Sequence, residues 1–257
     1  LKEECEKAKI DYFTSPYKLD FIDKLEKYVC AWKVGSGDIT YHDAIKKMAQ
    51  QKKPIIIATG ASNIEETKEA VDLALKFNED VVLMQCNTNY TASKDNFKFI
   101  NLNVLQTYKK LFPKVLLGLS DHTAGNSTVL GAVTLGARVI EKHFTDNNEL
   151  KGPDHKFSMS PKDWKIMVET TSELEQSLGI FEKKIEDNEK ETVIIQRRGM
   201  RAKKNILKGE LITENHISYL RPCTSECLPP SKNKLVIGKK ARNNIAKDDP
   251  INFQNIE

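Results

Sequence analysis

Six short β-rich runs recur through the first 143 residues at intervals of roughly 20 to 35 residues. That beat constrains the fold more than any other feature of the chain. The runs occupy residues 10–14, 30–34, 54–59, 81–86, 115–119 and 138–143. Most are nearly continuous apolar stretches, IIIAT and VVLMQC among them, as expected of parallel strands covered on both faces. Helical patterns fill the gaps. Ser62 and Glu65 have the spacing of a capping box, ahead of a face made by Ile64, Val71, Ala74 and Leu75. Val104, Leu105, Tyr108 and Leu111 mark a second helix, stopped by Pro113. Ser160 and Pro161 open a third, with Trp164, Met167, Val168, Thr171, Leu174 and Leu178 on its expected buried side and Gly179 as its stop. Repeated β–α units predict a parallel α/β fold. No glycine-rich phosphate turn follows the first run, so a doubly wound nucleotide-binding sheet fits less well than a (β/α)8 TIM barrel. A barrel needs eight strands and six are visible, so the barrel is expected to lack its first two.

The texture changes after Gly179. Residues 1–180 are expected to form the barrel domain, residues 181–195 a charged linker, and residues 196–257 a small β-rich domain of short strands and turns. Composition is that of a protein with a real core, 39% apolar and 30% charged, with a net charge of +4. This charge is interspersed and accompanies no DNA-reading motif, so no nucleic-acid partner is expected. No apolar run approaches membrane-spanning length, and the first ten residues are too charged for a signal peptide, so no membrane partner is expected either. Five scattered cysteines in a chain without a visible export signal point to reduced thiols and a cytoplasmic location. Cys223 and Cys227 lack a second ligand pair and do not make a zinc site.

Polar residues collect where the runs end: Lys33, Ser36 and Asp38; Thr59 and Gly60; Cys86 and Asn87; Ser120, Asp121 and His122; Glu141, Lys142 and His143. A barrel places its active site at the C-terminal ends of its strands. His122 and His143 end consecutive runs, close enough in a sheet to share one divalent ion as an open Lewis-acid site, with Asp121 and Glu141 as candidates to orient the imidazoles. Taken singly, each histidine has the blander reading of a satisfied core residue. Lys33, Ser36, Ser120 and Lys142 together suggest an anionic substrate, since lysine supplies charge and serine a donor. Asp38 is a candidate acid, base or sugar-hydroxyl anchor. The GPDH segment at residues 152–155 reads as a rigid loop beside the mouth, and His42 and His216 read as surface residues.

The segments YKLDFIDKL, KVGSGDIT, IIIATGAS, GLSDHTAG, GARVIEKHFTD and GPDHKFSMSP follow one another as in the sialic acid synthase family, which includes N-acetylneuraminate synthase and the legionaminic and pseudaminic acid synthases. The tail, RRGMRAKKNILKGELIT with LRPC and IGKKARNNI, resembles that family's C-terminal antifreeze-like (SAF) domain. The resemblance covers essentially the whole chain. It implies a metal-dependent condensation of phosphoenolpyruvate with an N-acetylmannosamine-type sugar, giving a nonulosonic acid and phosphate. It also implies a domain-swapped homodimer, and Mn2+, Mg2+ or Co2+ held by His122 and His143. Asp38 falls near the reacting sugar. Lys33, Ser36 and Ser120 match positions that contact phosphoenolpyruvate. Asn87 flanks a contacting position, Tyr90 and Asp154 match sugar-contacting positions, and Arg221 matches the arginine that the SAF domain offers to the partner subunit's site. Ala58 stands where members often have serine, Thr88 where asparagine is common, and CNTNYTAS replaces a proline-containing stretch. The family's first two strands carry an active-site glutamate and a further lysine, which this sequence does not include. Beside the synthase reading stands an alternative, a catalytically inactive fragment or sugar-binding module of the same family.

Overall fold

The computed structural model describes residues 1–257, which divide into two units, Leu1–Gly179 and Ile180–Glu257. In the first unit, helices α1 (Lys2–Ala8) and α2 (Leu19–Leu25) precede a chain of β–α units. These run β1 (Trp32–Val34), α3 (His42–Gln50), β2 (Ile55–Ala58), α4 (Ile64–Leu75), β3 (Val81–Cys86), α5 (Val104–Leu111), β4 (Leu116–Asp121), α6 (Ser127–Thr134), β5 (Ala137–Lys142) and α7 (Pro161–Leu178). The five strands are all parallel and lie side by side in sequence order. A doubly wound sheet would reverse that order at a switch point, and a barrel does not.

The first expected strand is reduced. The amides of Cys30 and Lys33 donate to the carbonyls of Tyr12 and Thr14, yet only Thr14 closes a bridge, to Trp32. Ile10 and Phe13 are exposed, and only Tyr12 of the run packs against the core.

Alternation along the strands sorts residues between two layers. Trp32, Val34, Ile55, Ile57, Val81, Leu83, Leu117 and Leu119 pack toward the helices with Ile45, Met48, Val71 and Leu105. Ala31, Ile56, Val82, Met84 and Val139 form a smaller cluster on the other face. Helix α4 is capped one residue later than the sequence pattern indicates. Asn63 accepts from the Glu66 amide at 2.9 Å and Glu66 accepts in return, while Ser62 donates to the Thr59 carbonyl at 2.8 Å. Asparagine caps as well as serine, and the shift puts Glu66 at the third helical position. Helix α7 starts at its Ser160 cap as expected, but of its anticipated stripe only Met167 is buried, and Val168 and Leu178 are exposed.

The second unit opens with the charged stretch, which carries a helix of its own, α8 (Lys190–Gln196). Strands β6 (Gly199–Ala202) and β7 (Ile217–Leu220) pair antiparallel, and four isolated antiparallel bridges complete the turns. Its core is separate: Met200, Ile206, Ile212, Val236 and Ile251 are among ten buried residues clustered there. His216, read from sequence as a surface residue, is buried here. Its Nε2 lies 2.9 Å from Glu210 Oε1, and its Nδ1 accepts from the Thr213 amide at 3.0 Å. His42 is exposed. No helix is long and apolar enough to cross a membrane.

Candidate active site

The β4–β5 register builds the centre of the site. Ser120 lies opposite Glu141 and Asp121 opposite Lys142, so the next step sets His122 beside His143. This phase depends on a bulge. Leu117 pairs with Ala137 but Gly118 with Val139, which leaves Arg138 as an extra residue in β5. Without it, every later residue of β5 would face the other way relative to β4. The side chains then sort by alternation. Ser120, His122, Glu141 and His143 share a cavity of about 330 Å³ with Lys33, Ser36, Tyr90, Phe13, Thr14, Ser15 and Tyr17. Asp121 and Lys142 point to the opposite side.

That sorting corrects two expectations. Lys142 does not reach for an anion: it forms a fully buried ion pair with Asp121 at 2.7 Å. Nor does Asp121 or Glu141 bond to either imidazole. Glu141 Oε1 accepts from Ser120 Oγ at 2.9 Å, and its Oε2 sits 3.4 Å from Lys33 Nζ. Glu141 therefore ties together two candidate anion-binding groups. The partners of the histidines are the Asn87 carbonyl, 3.0 Å from His122 Nδ1, and the Asp154 carboxylate, 3.3 Å from His143 Nδ1.

The imidazole rings lie 5.1 Å apart, centre to centre. Tyr90 stacks 4.4 Å from His122, and the buried Phe157 ring closes the other side at 5.1 Å from His143. Burial pushes His143 below the ordinary histidine value, and the charge of His122 pushes it the same way, with Asp154 and Glu141 opposing. Burial works downward on His122 too, but the hydrogen bond and charge of Cys86 win and hold His122 above its ordinary value. The thiol of Cys86 is raised by burial and lowered by its hydrogen bonds to His122 and Ser36, with a net fall.

Asp38 sits on the short turn after β1 and does not line the cavity. Asn87 lines a neighbouring cavity of about 470 Å³ beside α4 and α5, and it reaches the site through its carbonyl. Arg221 belongs to the second unit. Sequence reasoning missed Phe157, and it named Cys86 and Gly60 as run endings without giving either a role. A side-chain carbon on Gly60 would meet Thr88 Oγ1 at 1.8 Å and Ser36 Oγ at 2.7 Å, while its amide donates to Ser36 Oγ at 3.0 Å. Alternation from Met84 would have placed Cys86 on the site's face.

The donor set suits a divalent cation. Each imidazole has Nδ1 engaged by an acceptor, which points Nε2 toward a ligand, the arrangement in which histidines ligate metals, although Cys86 shares the His122 ring with any such ion. No group of three or more His, Cys, Asp and Glu side chains that could hold a metal is present. Two imidazoles fit an open centre whose other positions belong to water or substrate.

Both parts of the chain match known protein families. Residues 1–183 match the NeuB family and residues 197–257 the SAF domain. The chain is 34% identical to an N,N'-diacetyllegionaminic acid synthase of Campylobacter jejuni, over 96% of this chain and 73% of that enzyme. It is 34% identical to a pseudaminic acid synthase of Helicobacter pylori, over 100% of this chain and 74% of that enzyme. Among solved structures, the N-acetylneuraminic acid synthetase of Leptospira borgpetersenii superposes with a TM-score of 0.68 at 28% identity, over 75% of this chain and 66% of that one.

Proposed function

The chain belongs to the NeuB family, and from that membership we propose that it condenses phosphoenolpyruvate with an N-acetylmannosamine-type amino sugar to give a nonulosonic acid and phosphate. The observation that carries this reading is the meeting of Lys33, Ser36 and Ser120 with the His122–His143 pair in one cavity. An anion donor set and a two-imidazole centre are what a reaction between a phosphorylated enol acid and an aldehyde requires.

In this reading the phosphoenolpyruvate anion lies against Lys33 Nζ, with the Ser36 hydroxyl as a donor, and the Ser120 hydroxyl joins it by turning its one hydrogen from Glu141 to the anion. Glu141, on the same cavity wall, sets the lysine and Ser120 in place before the anion arrives. The methylene carbon of phosphoenolpyruvate bonds to the aldehyde carbon of the open-chain sugar. Water adds to the carbon that bears the phosphate, and phosphate leaves from that carbon. His122 and His143 would hold a divalent ion, Mn2+ by preference with Mg2+ or Co2+ as alternatives, and such an ion supplies polarisation of a carbonyl oxygen. Tyr90 and Phe157 wall the histidine pair with rings and limit water there. Asp154, held to His143, keeps a carboxylate edge for sugar hydroxyls, and Asp38 on the adjoining turn is a further polar anchor. Membership of the family also supports a homodimer as the working assembly and Arg221 as a substrate-binding residue.

Phosphate release from phosphoenolpyruvate, measured with Mn2+ and a panel of N-acetylated hexosamines before and after chelation, tests the proposal. Chelator-sensitive release with one sugar is the expected result. Release that needs no sugar, or that survives chelation unchanged, would overturn it.

A further inference from the structure

Behind the histidine pair, on the helix-facing side of β4 and β5, lies a sealed polar cluster that touches neither substrate nor metal. Lys142 Nζ has three hydrogens and three acceptors: Asp121 Oδ2 at 2.7 Å, the Thr123 carbonyl at 2.7 Å and the Gly125 carbonyl at 2.9 Å. Asp121 in turn accepts from the Thr128 hydroxyl at 2.6 Å, the Thr123 hydroxyl at 2.9 Å and the Thr123 amide at 3.0 Å. The ionic side chains are 1% and 0% exposed. No polar atom in the cluster lacks a partner.

The cluster joins four pieces of backbone: the end of β4, the turn that follows it, the first turn of α6 and the end of β5. Asp121 directly precedes His122, and Lys142 directly precedes His143. Stability alone does not account for it. Removing two ions from water costs about what their attraction returns, and an apolar pair of similar volume often serves the fold as well or better. A fully satisfied buried network does, however, admit one arrangement of the backbone segments that it joins. We infer that Asp121 and Lys142 are positioning residues, a clamp that fixes the spacing of the His122 and His143 imidazoles from the opposite face of the sheet. The functional meaning of that spacing rests on the reading of the two histidines as metal ligands.

The test is the paired substitution Asp121→Leu with Lys142→Met, which removes both charges together. The variant is expected to melt no lower than the unchanged chain, within a few degrees. Its crystal structure is expected to show the ring centres moved from their 5.1 Å separation. Its Mn2+ affinity, read from the electron paramagnetic resonance signal of free Mn2+, is expected to fall about 10- to 100-fold. A folded variant whose rings keep their spacing overturns the clamp, whatever its metal affinity. If the unchanged chain itself binds no Mn2+, the metal reading fails, and ring spacing alone decides the clamp. Should the pair variant not fold, Thr128→Val removes a single donor to Asp121, and its ring spacing decides in the same way. A role confined to stability would move the melting temperature and leave the ring spacing untouched.

Discussion

His122 and His143 have different electrostatic surroundings, one beside a thiol and the other beside a carboxylate, yet both have Nδ1 engaged by an acceptor. His122→Ala and His143→Ala are each expected to abolish metal-dependent phosphate release while leaving the thermal melt within a few degrees, since both imidazoles line the cavity and belong to neither apolar cluster of the sheet. Circular dichroism melts alongside the phosphate assay check this, and chelator-insensitive activity in either variant would remove the pair from the mechanism. Gly60 is a second pressure point. Gly60→Ala must push Thr88 or Ser36 aside. Its expected effect is a phosphoenolpyruvate KM raised about tenfold or more, because one hydrogen bond to a charged group is worth about 1.5–3 kcal/mol. Steady-state kinetics with the sugar saturating would read it. At this scale much of the site was legible in the sequence. Lys33, Ser36, Ser120, His122 and His143 announce themselves as polar endings of apolar runs. The roles of Asp121, Glu141 and Lys142 did not, because the side of the sheet that each faces depends on alternation and a bulge, which residue type does not disclose.

The bulge at Arg138 is the element-scale device on which the site depends. One extra residue in β5 puts Glu141 and His143 on the same face as Ser120 and His122. Deleting Arg138 is expected to turn Lys142 toward the cavity and His143 away, with loss of Mn2+ binding and of turnover together. Mn2+ titration of the folded deletion variant would show this, and retained affinity would mean that β5 re-forms its bulge elsewhere. The positions of the strands were readable from their apolar runs, 81–86 to the residue. Cap positions and the burial of α7 were not. Ser62 and Asn63 are both good caps, and only the local backbone decides between them. An amphipathic stripe such as that of α7 states what can be buried, while what is buried depends on the neighbouring elements.

Each unit of the whole chain has its own apolar cluster, with no residue in common. Both tryptophans, Trp32 and Trp164, lie in the first. Met200 is fully buried in the second, so Met200→Ala is expected to cost that unit about 2–5 kcal/mol. The tryptophan fluorescence midpoint should stay in place while a probe in residues 197–257 melts earlier, and a shared shift would refute separate cores. Those same residues carry 13 Lys and Arg against 6 Asp and Glu, an excess suited to anionic substrates. On the substrate-binding role proposed for Arg221, toward the sugar, Arg221→Ala is expected to raise the sugar KM about tenfold and leave that of phosphoenolpyruvate nearly unchanged. Equal effects on both would count against a sugar-binding role.

The histidine pair is also close along the chain, joined by the single crossover β4–α6–β5. Contacts that span so short a stretch close at little entropic cost and tend to form early. The centre of the site is therefore expected to be among the first parts of the chain to take shape, with its spacing set by local folding before the longer-range contacts of the sheet are complete.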